Sequence, residues 1–442
     1  MGMAGRWWGV VALALAMGCG GSSGSKISGG VPDASGGPAD GGLESPDGGP
    51  SDAGGGGQPD AGTDGGSAPD ACRTLMTAPP GKPVVYRTDP LLPYELGAPG
   101  TTDSRGEVLV PISAHFDSLS LFIFDPSGKL LSSSVTVGGG SFGLDAIGVA
   151  DGFIGVQTVD VSGAGPPSHR VAKVFSDGGV QESEFDAGLA SQGEDPRGGM
   201  RVLVSASKVL SAYDPDLDVR WGTQLPITDW APTANAERLP VGVDTGGNSL
   251  VLFPRVPELP DHAPPPDAGV AGVWTDAQGR PGSAFDVGQS LQPYCLRLFP
   301  SLTGGLFARA NCPEESGQFL ASFASLDPHP GAVPDWLAQR PGIDLRPIRS
   351  GTGYAAFPGF PSSSPGCSIE VLTPEGRSCG RVDFGPAVVV SDSSVTDASG
   401  TPAPSCKFAV GTDGTVIALT SQGNEINGTT RWTWHWWPAF FR

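Results

Sequence analysis

Apolar strands punctuated by Asp-Gly-type turns, 68 Gly and 44 Pro among 442 residues, and no amphipathic helical stretch predict an all-β fold. The turns recur at intervals near 50 residues, which narrows the prediction to a seven-bladed β-propeller. Tandem β-sandwiches are the alternative, because they too alternate short strands with regular turns.

Each element of that prediction has its own residues. One turn type follows an apolar strand, as in Leu121-Phe122-Ile123-Phe124-Asp125-Pro126-Ser127-Gly128 and Val273-Trp274-Thr275-Asp276-Ala277-Gln278-Gly279. It returns near residues 177, 214, 327 and 374. A second turn type precedes an apolar strand, at Gly106, Gly152, Gly199, Gly246, Gly304, Gly353 and Gly414. Two interleaved turns per unit imply four short strands per unit, and residues 72–442 have room for seven such units.

The chain ahead of those units has a different composition. Met1–Arg6 carries one positive charge, and Trp7–Met17 is an apolar run of 11 residues. A helix of that length spans ~17 Å, short of a ~30 Å bilayer core, so it reads as the core of an export signal. The run ends in Ala16-Met17-Gly18-Cys19. Small residues before a single Cys resemble the lipobox of bacterial lipoproteins. The resemblance implies cleavage after Gly18 and acylation of Cys19, palmitate being the typical chain. It also implies a membrane partner through that lipid, and the absence of Asp after the Cys favours the outer membrane, on either side. Residues 1–18 are thus expected to be the signal peptide.

Residues 19–71 follow as a tether. Beyond Cys19 they hold 18 Gly, eight acids and one Lys, with almost no large apolar side chains. Such a segment cannot bury enough apolar surface to offset its ordering entropy and is expected to stay disordered. A Gly-rich coil of this length has an r.m.s. span of roughly 40 Å. Its Asp-Gly spacing lacks the strict nonapeptide period of calcium-binding repeats.

The repeats of residues 72–442 resemble the degenerate propeller blades of bacterial extracytoplasmic proteins, including quinoprotein-like ones. Tyr213-Asp214 to Arg220-Trp221 carries that pattern best.

Six cysteines remain beyond Cys19: Cys72, Cys295, Cys312, Cys367, Cys379 and Cys406. In an exported chain they read as disulfides. Short separations suggest Cys295–Cys312 and Cys367–Cys379, leaving Cys72–Cys406 as a staple between the start of the ring and its last blade. No Cys-x-x-Cys occurs, so neither a redox motif nor a zinc knuckle is indicated.

Charge and motifs bound the function. A formal net charge of −20 excludes a nucleic-acid partner, since phosphate binding needs a basic face. Gly376-Arg377-Ser378-Cys379-Gly380 matches the nucleophile-elbow pattern, but the residues after it read as strand, not helix. No two of the five His lie at helical ligand spacing; His115 and Asp117 share a strand face and read as a polar pair at a blade edge. Asp214, Asp216 and Asp218 begin like a calcium loop, but Val219 and Leu225 stand where Gly and Glu are needed. Trp432, Trp434 and Trp436 alternate on one strand face with Trp437 beside them, suited to blade packing or to stacking on a sugar.

No catalytic residue, metal ligand or cofactor site emerges from these motifs. The expected role is an outer-envelope lipoprotein presenting a propeller for protein binding or scaffolding, with an envelope protein as partner. The alternatives are a propeller enzyme, either a hydrolase or a quinone-dependent dehydrogenase, and a glycan-binding module.

Overall fold

A computed structural model of the chain describes residues 70–75, 79–88, 95–114, 118–138, 146–159, 168–184, 190–205, 207–227, 239–254, 269–288, 296–310, 317–348, 351–358, 367–385, 406–424 and 429–441. They belong to one compact unit, Gly65–Arg442. Cys19, Cys295, Cys312, His115, Asp117 and His262 lie outside the described residues.

A short helix α1 (Asp70–Leu75) and a strand β1 (Val84–Arg87) come first. Blade 1 follows with β2 (Glu95–Gly97), β3 (Thr101–Thr102), β4 (Val108–Ala114), β5 (Ser118–Phe124) and β6 (Leu130–Gly138). Blade 2 holds β7 (Ile147–Val149), β8 (Gly152–Val159), β9 (Ser168–Val174) and β10 (Val180–Glu184). Blade 3 holds β11 (Ala190–Glu194), β12 (Met200–Val204), β13 (Val209–Tyr213) and β14 (Val219–Gln224). Blade 4 holds β15 (Val241–Val243), β16 (Ser249–Pro254), β17 (Val270–Thr275) and β18 (Phe285–Gly288). Blade 5 holds β19 (Leu296–Pro300), β20 (Leu306–Ala310), β21 (Phe319–Phe323) and the two-residue β22 (Pro330–Gly331), followed by helix α2 (Asp335–Ala338). Blade 6 holds β23 (Ile343–Pro347), β24 (Tyr354–Pro358), β25 (Ser368–Leu372) and β26 (Ser378–Asp383). Blade 7 takes β27 (Lys407–Val410), β28 (Val416–Asn424) and β29 (Thr429–Trp437) from the chain's end.

Every blade is an antiparallel sheet, and the fourth strand of blade 7 is β1, paired with β29 from Val84↔Trp436 to Arg87↔Thr433. The inner strands of neighbouring blades touch in succession, β11 to β15 to β19 to β23, and β27 returns to β3. This is the predicted seven-bladed propeller.

Burial follows position in the blade. Second strands such as β12 and β16 are buried along their whole length, because a blade packs against each of their faces. They read accordingly as continuous apolar runs. Outer strands such as β14 alternate between half-buried and exposed.

The hairpin turns of blades 1, 3 and 4 share a construction set by their Asp, while Phe175 and Thr373 lead the same backbone turn in blades 2 and 6. Asp125 Oδ1 accepts the backbone N–H groups of Ser127 and Lys129, at 2.9 Å each. Asp276 does the same for Gln278 and Arg280, and Asp214 for Asp216 and Asp218. The carboxylate satisfies donors the tight turn leaves over, which is why Asp leads these turns.

The disulfide pairing differs from the sequence expectation. Cys72 bonds Cys379, and Cys367 bonds Cys406, with Cα–Cα 5.2 Å in each. Cys367 and Cys379 cannot meet, because they lie at opposite ends of the β25–β26 hairpin. Phe384 N–H donates to Cys367 O at one end, and Ser378 pairs Leu372 at the other. The start of the ring does reach the last blade, but through β1, while α1 is stapled to blade 6.

Candidate functional site

The central channel is the first place to look in a propeller, since residues from every blade converge there. Glu194, the last residue of β11 in blade 3, forms an ion pair with Arg346 of β23 in blade 6. The two strands stand three blades apart, so the pair bridges the channel. Arg297 of β19 lies 3.4 Å from Asp344 of β23, and Arg309 of β20 lies 2.7 Å from the same carboxylate. Arg309 is buried and stacks 5.2 Å over the Phe299 ring. Glu194 and Arg346 are thus paired across the channel, while Arg309 meets Asp344 in the seam between blades 5 and 6.

The seams between blades hold a second set of buried charges. Asp195, in the turn after β11, is fully buried and receives Arg201 at 2.9 Å and Arg197 at 3.0 Å. Burial pushes its carboxyl up, but the two guanidinium groups outweigh burial and hold it below the ordinary carboxylate range. Arg201 continues into blade 4, donating to Ser249 Oγ at 3.1 Å and Gly247 O at 3.2 Å, and it stacks on Trp221. Lys173 of β9, also buried, reaches Asp151 at 2.6 Å and Asp216 of blade 3 at 3.3 Å. Sequence reading passed over Arg201, Arg309 and Lys173. Their signal was present, a single cation inside an otherwise apolar strand, as in Met200-Arg201-Val202-Leu203-Val204.

A surface recess of about 550 Å³ opens on the hairpin-turn side where blades 1 and 2 meet. Arg105, Asp151, Phe175, Asp177 and Val180 are among its lining residues. Arg105 is held by Asp103 at 3.0 Å, Glu107 at 2.7 Å and Ser176 at 2.7 Å. Asp103 is buried, which pushes its carboxyl up to about 6; bonds from Glu107 N–H and Arg105 act against the shift, and the Glu107 charge adds to it. Lys173 lies 4.8 Å from the Phe175 ring centre.

The residues singled out from sequence fall as follows. Ser378 opens strand β26 and Cys379 is disulfide-bonded, so no strand-to-helix elbow forms there. Asp214 caps its own turn and Asp216 faces Lys173; among the described residues no group of three or more His, Cys, Asp or Glu is arranged to hold a metal. Trp432, Trp434, Trp436 and Trp437 are all buried, so the aromatic alternation serves blade packing and offers no surface for a sugar. His329 is exposed in a turn beside Asp327, and His435 is buried on β29.

No family model matches this sequence, and no curated protein matches it. Among solved structures, a Dyadobacter fermentans protein of unknown function is similar at 11% identity and a TM-score of 0.38, covering 80% of this chain and 98% of its own. A streptogramin B lyase is similar at 10% identity and 0.33, covering 80% and 97%. A Bacteroides caccae protein of unknown function is similar at 14% identity and 0.29, covering 61% and 83%. At these values the likeness adds nothing to the seven-sheet ring that strand pairing establishes.

Proposed function

We propose that this chain is an outer-envelope lipoprotein, anchored through acylated Cys19, whose tethered propeller binds or scaffolds an envelope protein. The observation that carries this reading is the channel bridge of Glu194 and Arg346. Charges that a catalytic propeller would turn towards a substrate are here committed to each other across the ring. The ring of packed blades is suited to presenting its loops, and loops on a packed frame are where recognition is built. The lipobox-like residues 16–19 and the Gly-rich segment behind them supply the anchor and its reach.

The test has two parts. Cells expressing the full chain are labelled with radioactive palmitate, and wild type is compared with Cys19→Ala. Label on wild type alone, with the variant released from membranes, supports the anchor; unlabelled wild type sinks it. In-cell crosslinking of the full chain then either yields one stoichiometric envelope protein, as expected, or yields none, which overturns the scaffold.

A second reading, glycan binding, has one observation in its favour. The recess at blades 1 and 2 sets the Phe175 ring among Arg105, Asp151 and Asp177, an apolar face amid hydrogen-bonding groups. Saturation-transfer NMR with soluble disaccharides tests it: signal lost on Val180→Trp, which fills the recess, supports the reading, and no signal from wild type removes it.

A further inference from the structure

We infer that the Cys72–Cys379 disulfide is a clasp that carries pull arriving along the chain before Cys72, sparing the β1–β29 ladder that closes the ring. The source of the pull rests on the tethered reading above; the geometry of the clasp does not.

The ladder is short and badly placed to bear load. β1 meets β29 over four residue pairs. Val84, its first residue, lies opposite Trp436, the penultimate residue of β29. The chain therefore enters β1 and leaves β29 at the same end of the ladder. A pull between those two ends opens the pairs one after another, as a zipper opens, instead of loading all of them together.

The clasp sits upstream of that weak point. Cys72 precedes Val84, and its partner Cys379 stands on β26, the outer strand of blade 6. Tension from the N-terminal side reaches the sulfur bridge first and passes into blade 6, leaving the segment between Cys72 and β1 slack. Blade 6 is in turn tied to blade 7 by Cys367–Cys406, which joins the residue before β25 to the residue before β27. All four cysteines are buried in one apolar cluster with Leu75, Phe384, Phe408 and Trp437. The two bridges thus lie in the same packed seam, one receiving the load and the other passing it on. The backbone from Cys72 to Cys379, a separation of 307 residues, runs through β1 and blades 1 to 6, so the clasp also makes a covalent circle of most of the ring.

The experiment is single-molecule pulling on the full chain with Cys19→Ser, tagged at both ends. It is compared with the same chain carrying Cys72→Ser and Cys379→Ser. The double variant is expected to show an early step at lower force that frees residues 72–88, about 50 Å of extended chain. The parent is expected to lack that step. The same early step at the same force in both chains overturns the clasp. Should the double variant fail to fold, the folded parent is held in reductant until alkylation and mass spectrometry show Cys72 and Cys379 reduced, and is then pulled in the trap. The 50 Å step must then appear, and its absence overturns the inference. Palmitate labelling of Cys19 reads the anchor separately, so a clasp without a lipid and a lipid without a clasp are distinguishable.

Discussion

The seam between blades 3 and 4 and the seam of blade 7 against blade 1 both bury an apolar cluster and differ in what they add to it. In the first, the buried pair Asp195 and Arg201, joined from the surface by Arg197, reaches Ser249 and Gly247, and Trp221 N–H donates to Ala277 O at 3.1 Å. In the second, aromatic rings dominate. Tyr86 and Phe124 lie 4.7 Å apart, Phe124 and Trp436 5.6 Å apart, and Trp434 N–H donates to Ala98 O at 2.9 Å. One seam joins consecutive blades of a continuous chain. The other packs blade 1 against blade 7, in which β1 and β29 come from the two ends of the chain and are joined by strand pairing alone. A polar cluster fixes geometry well but adds little net stability, whereas apolar burial adds stability without needing precise alignment. Blade 7, which holds the chain's two ends together by strand pairing, leans on the second.

The comparison can be broken most severely at Trp434, which is fully buried. Trp434→Ala is expected to cost about 3–5 kcal/mol in chemical denaturation, from lost burial and the cavity left behind. A cost under ~1 kcal/mol would show that aromatic packing does not hold the closing seam. Arg201→Met tests the other seam. Asp195 keeps Arg197 but loses its buried partner, and the expected cost is about 3 kcal/mol. If the variant is as stable as wild type, the charge cluster contributes nothing beyond shape.

Acid sharpens the contrast. His435 of the closing blade is buried, which lowers its pKa to about 4, with the Arg87 charge adding to the effect. The unfolded chain takes up that proton near pH 6.5, the folded chain only near 4, so stability falls as pH drops through that interval, by up to about 3 kcal/mol. Asp103 acts in the opposite sense. Its folded pKa of about 6 lies above the unfolded 3.8, so its contribution is present below 3.8 and lost as pH rises through 6. Denaturation midpoints between pH 4 and 6.5 should therefore fall less steeply in His435→Gln than in wild type, and more steeply in Asp103→Asn. Parallel profiles for all three chains would contradict both assignments.

The smallest effect is expected at a turn. Gly279 has φ +86°, and a Cβ there would stand 2.7 Å from the Trp221 ring. Gly279→Ala should cost about 1–2 kcal/mol by thermal denaturation. In the blade-3 turn the equivalent position is Leu217, with φ 64° and a buried side chain. There the leucine side chain packs into the seam with Ile147, Val149 and Ile154 of blade 2.

Much of this fold was legible beforehand because its turns are local. An Asp that caps the next residues and a Gly at positive φ act within five residues, so each unit announces itself in the chain. The unit count and the all-β class followed from such signals, whereas the choice between packing and sugar stacking for the tryptophan alternation was made by burial in the ring. The cysteine partners did not. Which sulfurs meet depends on where α1 lands and on which end of a hairpin each cysteine occupies. The cations within apolar strands were visible as exceptions, but their partners stand in the next blade.

By itself, then, the sequence determined the repeat, the turn chemistry and the apolar character of the inner strands, since these rest on contacts between near neighbours. Only the tertiary structure decided that β1 completes the last blade, that Cys72 finds Cys379, and that Glu194 meets Arg346 across the channel. Those contacts join residues hundreds of positions apart or on opposite sides of a ring. Their geometry exists only once seven blades have packed, and no local pattern in the chain encodes it.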